Sequence, residues 1–538
     1  MKKNSNLSVG QAFTKAIMFM NSGRFAEAKQ ISEEIKRVRP LSPDVHNLLG
    51  GIAFKMGVTA EAANHFSRVV ELKPDHNEAR HNLAKMLCKL ARWDEAATHF
   101  AILTDTAGND VDILMNCARA QVKSKKYNDA ISTYKKALEV HPSADAVQTE
   151  LAEAFLKKGD IRRAEETYTT VLARTPAYAP ALINLSVTRD IQGRMDEALD
   201  LLKEATRKNP NNATAHTHLA LALLAREQLT EGWAEYIWRF RQTDTSTLHD
   251  RFDVPFWEGE PLKNRRLLIW TEQGPGDEIL ICSMVPDVIR LGAKCSIVCT
   301  ARLTTLLKRS FPNVDIIPRE HVVAGNVKIP HVDFQASLSH LGRCLRPSID
   351  AFPSKDSYLQ ADPNLVKQLR TSYQAGTGYP LIGISWRSAN AKAEVEKSTS
   401  LQDWLGLLAI PHLRFVSLQY GVFSEEIKTI KESTGTEIIF DSSIDPLIDL
   451  DKFAAQVMAM DLIISVSNTT VHVAGGLGRP VWTLVPASVG RIWYWLLERP
   501  NSPWYSSMRL FRRSRESNWN PVISQVIQAL IGWRQSQR

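Results

Sequence analysis

Over the first 240 residues the apolar, small and turn-forming positions recur with a period of 34. A turn position steps through Gly23, Gly57, Ala91, Lys125, Gly159, Gly193 and Glu227. Five residues later a small position runs Ala28, Ala62, Ala96, Ala130, Ala164, Ala198 and Gly232. An apolar position runs Leu49, Leu83, Cys117, Leu151, Leu185 and Leu219, and a helix-ending position Pro40, Pro74, Gly108, Pro142, Pro176 and Pro210. Four phases locked to one period, without an insertion, predict a stack of two-helix units. Alanine lets the two helices of a unit cross closely, glycine turns the chain between them, and proline ends the second. Seven units span residues 9–240. The last carries Trp233, Tyr236, Trp238 and Phe240, expected to form an apolar cap that docks on the domain that follows.

After residue 240 the period changes. Short apolar runs at 265–270, 293–300 and 314–318 alternate with helical stretches, and the pattern restarts with runs at 381–386, 414–419, 437–440, 461–466 and 481–486. Strands alternating with helices predict parallel sheets covered on both faces. The expected organisation is a repeat array over 9–240, a linker over 241–261, a first α/β domain over 262–360, and a second over 361–538 that ends in a helix. Two doubly wound sheets in tandem place a cleft at the carboxyl ends of their strands.

The chain has 538 residues, 44% hydrophobic and 23% charged, with a net charge of +8. That charge permits an anionic ligand without arguing for nucleic acid. Arg491 to Arg538 holds eight arginines against Glu498 and Glu516, interleaved with aromatics. These fall on a strand-exit loop, which suits an anionic sugar nucleotide better than a nucleic acid. Six cysteines make no disulfide framework, so a reducing cytoplasm is expected. No apolar run is long enough to span a bilayer, and the amino-terminal stretch does not read as a signal peptide.

Three loops at strand ends carry the candidate chemistry. The first is Gly274-Pro275-Gly276-Asp277-Glu278, whose glycines would let backbone approach a ligand closely. Asp277 reads either as a helix N-cap or as a carboxylate usable as a general base, and Glu272 and Glu278 on the same loop compete for that second role. The second loop is Ser385-Trp386-Arg387-Ser388-Ala389-Asn390, followed by Lys392 and Lys397, where an arginine fork would clamp a diphosphate. The third is Ser467-Asn468-Thr469-Thr470-Val471-His472, a helix N-terminus suited to phosphate oxygens. His472 is either a packed histidine or a ligand. Gly475 and Gly476 would pack the helix against the sheet. Arg491 and Arg509 are further candidates for a donor phosphate. Asp449-Leu450-Asp451 has the spelling of a metal motif but heads a helix, where acids are expected anyway. Within the array, Asn47, Asn82, Asn116 and Asn184 recur near the inner face.

The 34-residue units resemble the tetratricopeptide repeat. The GPGDEI loop, the GISWRS and FVSLQYG strands, SVSNTTVHVAGGLGRPVWTL and SPWYSSMRLFRR together resemble heptosyltransferase-like glycosyltransferases, and most of all bacterial proteins that fuse tetratricopeptide repeats to such a unit. O-GlcNAc transferases share the layout. The resemblance implies an α-solenoid followed by an α/β GT-B unit of two Rossmann-like domains. It implies a metal-independent, inverting bacterial glycosyltransferase with a nucleotide-sugar donor as substrate and no cofactor. Asp277 matches the base of heptosyltransferases. Arg387, Ser467, Asn468, Thr469, Thr470 and His472 fall at the donor side, with Thr469 and Thr470 similar to the paired threonines of O-GlcNAc transferases. Heptosyltransferases carry Asp-Thr-Gly where this chain has Ser467-Asn468-Thr469, so heptose is not implied. The acceptor would be a protein recruited by the repeats, such as flagellin. Transfer to a surface polysaccharide or lipid-linked glycan, or a non-catalytic adaptor that only binds nucleotide sugar, are the alternatives.

Overall fold

A computed structural model describes residues 8–106, 110–242, 248, 251–327, 329, 331–354, 357–388, 394–421, 423–488, 490–515 and 518–536. The chain divides into two compact units, Met1–Thr188 and Arg189–Arg538. The division falls inside the helix Ala179–Ile191, upstream of the 240/241 boundary expected from the period.

Helices follow the period along the array, from Val9–Asn21 and Phe25–Val38 to Ala213–Ala225 and Leu229–Tyr236. Each turn position has a positive φ, from +56° at Ala91 to +91° at Gly159. Four of the seven are glycine, which adopts this region without strain. Ala91, Lys125 and Glu227 adopt it as well, so the packing of the helix pair imposes the turn on residues that resist it. Ala28, Ala62, Ala96, Ala130 and Ala164 are fully buried where the helices cross. Gly232 occupies the same position in the last pair, where a Cβ would meet the Leu224 side chain at 2.8 Å. Gly108 lies outside the described residues.

The second unit contains two parallel sheets. The first is built from β1 (Arg266–Trp270), β2 (Lys294–Cys299), β3 (Asp315–Pro318) and β4 (Phe334–Ala336), in the order β3-β2-β1-β4. The second is built from β5 (Leu381–Ser385), β6 (Arg414–Ser417), β7 (Ile438–Ile439), β8 (Leu462–Val466), β9 (Val481–Val485) and β10 (Met508–Arg512), in the order β10-β9-β8-β5-β6-β7. β5, β8 and β9 are buried along their whole length, as central strands covered by helices on both faces must be. In each sheet the strand order reverses beside the first strand, between β1 and β4 and between β5 and β8. Crevices at the carboxyl ends open at such reversals, and ligands bind there. The loops after β1, β5 and β8 flank these two points.

The end of the array packs into this unit. Trp233 is fully buried, its Nε1 donates to the Arg346 carbonyl at 2.9 Å, and its ring lies where a Cβ on Gly342 would sit 2.5 Å away. It meets Trp493 edge to face at 5.2 Å, and Phe240 meets Trp270 at 5.5 Å. Trp238 departs from the expected cap: it stacks on His216 of its own repeat at 4.0 Å.

Candidate functional site

The loop after β1 bears three acids, and burial sorts them. Glu278 is buried, accepts from the Thr300 backbone amide at 2.9 Å and is paired with Arg319. Its carboxylate is committed to holding the loop and is not available as a base. Glu272 is paired with Arg239 at 2.9 Å, and both side chains are nearly inaccessible to solvent. Burial pushes the Glu272 carboxyl up to about 7. Asp277 is raised to about 6, chiefly by burial, and hydrogen bonding from the Gly274 backbone opposes part of the rise.

The expected N-cap role of Asp277 is corrected. The helix Pro275–Cys282 is capped by Gly274, and Asp277 sits inside its first turn. Gln273, just ahead of it, has φ +64°, a strained conformation of the kind that gathers at functional sites.

The second domain brings a cation to this carboxylate. Lys397 is buried, its ammonium is disfavoured by that burial, and Asp277 is the charge that favours it. Asn390 and Lys392 of the same loop lie outside the described residues. Beside it, the N-terminus of the helix Thr469–Gly476 faces the reversal between β5 and β8. Asn468 caps that helix, its Oδ1 accepting from the Thr470 amide at 3.0 Å. Its Nδ2 donates to Ser385 Oγ at 2.8 Å and to the Arg387 carbonyl at 3.1 Å, which ties the loops after β5 and β8 together. Thr469 is half-buried. Thr470 is fully buried, and its Oγ1 has no hydrogen-bond partner. Ser467 Oγ accepts from Trp495 Nε1 at 2.7 Å.

Several expected donor contacts are engaged elsewhere. Arg387 is paired with Glu426, which also accepts from Trp386 Nε1 at 2.9 Å. One guanidinium nitrogen, Nη1, is thereby engaged. His472 is buried with both ring nitrogens bonded, Nδ1 to the Tyr505 hydroxyl at 2.8 Å and Nε2 to the Tyr494 hydroxyl at 3.1 Å. Burial pushes it down to about 3, so it is a neutral packing residue and not a donor ligand. Arg491 is bonded to Asp190 at 3.0 Å. Arg509 is exposed on the edge strand β10, over the Phe511 ring at 4.5 Å, away from the loops after β5 and β8.

The glycines also change meaning. A Cβ on Gly276 would meet the His472 ring at 2.8 Å. This glycine lets the helices Pro275–Cys282 and Thr469–Gly476 of the two domains touch, rather than admitting a ligand. Gly475 makes room for Tyr505, and Gly476 for Leu359 and Tyr358, so neither packs on the sheet as expected.

Asp449 caps the helix Leu450–Met458, and Asp451 is paired with Arg309 of the first domain. In the repeat array, among the described residues, Glu33, Glu61 and His65 each place one ligand atom within 4.8 Å of the others. Both carboxylates there are bonded to lysines, Lys36 and Lys29. Asn47, Asn82, Asn116 and Asn184 are all half-buried.

Sequence reasoning passed over Arg239, Gln419 and Glu426. Gln419 Oε1 accepts from the Trp386 and Arg387 amides at 3.0 and 2.9 Å and so shapes the loop after β5. The signal for Arg239 was a single arginine inside the aromatic run of the last repeat. Glu426, 39 residues from Arg387, offered none.

The tetratricopeptide repeat family model matches residues 52–111, 117–179, 149–213 and 191–236. Over 539 aligned residues the chain is 31% identical to Protein FlbA of Caulobacter vibrioides, a match covering 96% of this chain and 83% of that protein. The chain belongs to the FlbA family. Its repeats imply a role in protein interaction. Among solved structures, MamA from Desulfovibrio magneticus RS-1 is 19% identical with a TM-score of 0.28, over 32% of this chain and 96% of that one. YrrB, titled a TPR protein with an unusual peptide-binding site, is 15% identical with a TM-score of 0.29, over 34% of this chain and 95% of that one. Among the described residues no helix is long and apolar enough to cross a membrane.

Proposed function

We propose that this FlbA-family chain is a GT-B glycosyltransferase that moves a sugar from a nucleotide-sugar donor to a hydroxyl of a protein acceptor held by its repeats. The observation that supports this most is the electrostatic coupling of Asp277 to Lys397 at the strand ends. A half-buried carboxylate pushed up to about 6 lies within electrostatic reach of a buried ammonium, beside a helix N-terminus. A base poised just below neutral pH is ionised when needed and still accepts a proton readily.

In the reaction Asp277 takes the proton of the acceptor hydroxyl. The oxygen forms its bond to the anomeric carbon as the carbon–oxygen bond to the donor phosphate breaks, with inversion. The charge released on the departing nucleotide is met by Lys397 and by the helix N-terminus at Thr469. Arg387 is left out of this scheme, because Glu426 holds it.

The same engagement of Arg387 and Arg491 favours the second reading, an adaptor that binds without turnover. Release of nucleotide from a panel of nucleotide sugars by the full-length protein tests the two, with flagellin as the first acceptor tried. Turnover that disappears in Asp277→Asn supports the transferase. Binding without turnover in the unsubstituted protein overturns it in favour of the adaptor.

A further inference from the structure

Across the carboxyl ends of β5, β6 and β7 runs a row of three aromatic rings. Trp386, directly after β5, is fully buried. Phe423, in the connection after β6, is nearly so and meets Trp386 edge to face at 5.8 Å. Phe440, directly after β7, meets Phe423 edge to face at 5.1 Å. The row therefore starts at the buried reversal point and ends at Phe440, a phenyl ring 47% exposed to solvent. The nearby loop also presents Leu447 and Ile448 to solvent.

At the inner end of this row lies the Thr469 helix N-terminus with the unpartnered Thr470 hydroxyl, a place built for phosphate oxygens. Strands in a sheet lie about 4.8 Å apart, so the end of β7 stands roughly 10 Å from β5. In doubly wound sheets of this strand order, a nucleotide with its phosphates at the reversal extends its ribose over the second strand and its base further out. Phe440 stands where that base arrives, with a ring face available. Asp441, which follows it, is already engaged: it accepts from the Tyr373 hydroxyl at 2.7 Å and from Ser443 Oγ at 2.6 Å.

We propose that Phe440 is the stacking platform for the nucleobase of the donor, and that it recognises the base by its π-face and so tolerates purine and pyrimidine alike. This rests on the donor site proposed above. The full-length protein is titrated by calorimetry with UDP, ADP, GDP and inorganic pyrophosphate, alongside Phe440→Ala and Phe440→Trp. Loss of one stacked base weakens binding by about 5- to 150-fold. The expected result is a loss of that size for the nucleoside diphosphates in Phe440→Ala, recovery in Phe440→Trp, and pyrophosphate affinity changed less than twofold. Undiminished nucleotide binding in Phe440→Ala overturns the platform and leaves the donor site standing. An equal loss for pyrophosphate also overturns it, because the effect is then structural. If the unsubstituted protein binds neither nucleotide nor pyrophosphate, the platform and the donor site fall together.

Discussion

Asp277→Asn separates two properties of one carboxylate, its proton affinity and its charge. Burial raises it from the ordinary 3.8 to about 6, a change of about two units. At neutral pH the ionised group therefore opposes folding by at most about 3 kcal/mol. Because the folded-state value is raised, the penalty is absent below about pH 4. It grows as the pH rises toward 6 and is complete above that. Asparagine has the same shape without the charge, and its Oδ1 can still accept from the Gly274 backbone as the Asp277 carboxylate does. Lys397 loses its counter-charge, which trims the gain. The variant should match the unsubstituted protein in urea denaturation at pH 4 and exceed it at pH 7.5, by up to about 3 kcal/mol. Transfer should fall by about 10²- to 10⁴-fold, and the acid limb of kcat/KM, centred near pH 6 in the unsubstituted protein, should disappear. Normal turnover in the variant would refute the base. Equal stability at pH 7.5 would refute the burial reasoning, whatever the activity.

Other substitutions probe the frame around the site. Gly342→Ala drives a methyl group into Trp233 and should destabilise the second unit by about 1–3 kcal/mol or more, read by chemical denaturation. Lys125→Gly relieves a positive φ in the fourth turn and should raise the melting temperature, by a gain of up to about 1 kcal/mol; a lower melting temperature would show that the turn is not strained. His472 must charge on unfolding in acid, since its folded value is lowered to about 3; it should therefore contribute a loss of about 2–3 kcal/mol between pH 7 and pH 4.5 that is missing in His472→Gln. Lys397→Met should weaken nucleotide-sugar binding by roughly 10-fold or more in calorimetry, and unchanged affinity would remove Lys397 from the phosphate site.

The repeat array was legible because its constraint is local and recurs. Each turn, each small residue at the helix crossing and each apolar contact reappears at the same phase, so Ala91, Lys125 and Glu227 are recognisable as turns by position although their residue types disfavour it. The eight apolar runs all became strands, since a strand buried on both faces must be apolar throughout. β4 escaped because three residues carry no pattern. β10 escaped because it lies on the edge of its sheet, where exposed Arg509 interrupts the run.

The site was legible only as a set of loops. Strand-then-helix punctuation located Gly274–Glu278, Trp386–Arg387 and Ser467–His472, because backbone conformation is encoded nearby in the chain. The roles within those loops depend on partners far away in sequence. Glu278 is bonded by Arg319, Arg387 is held by Glu426, and His472 is enclosed by Tyr494 and Tyr505. Gly276 is required by the ring of a histidine almost two hundred residues later. Sequence by itself determined where the elements lie and which loops meet at the strand ends. Only the tertiary structure decided which charged groups stay unpaired and which are neutralised, because burial and long-range pairing, not residue type, set the state of a buried charge.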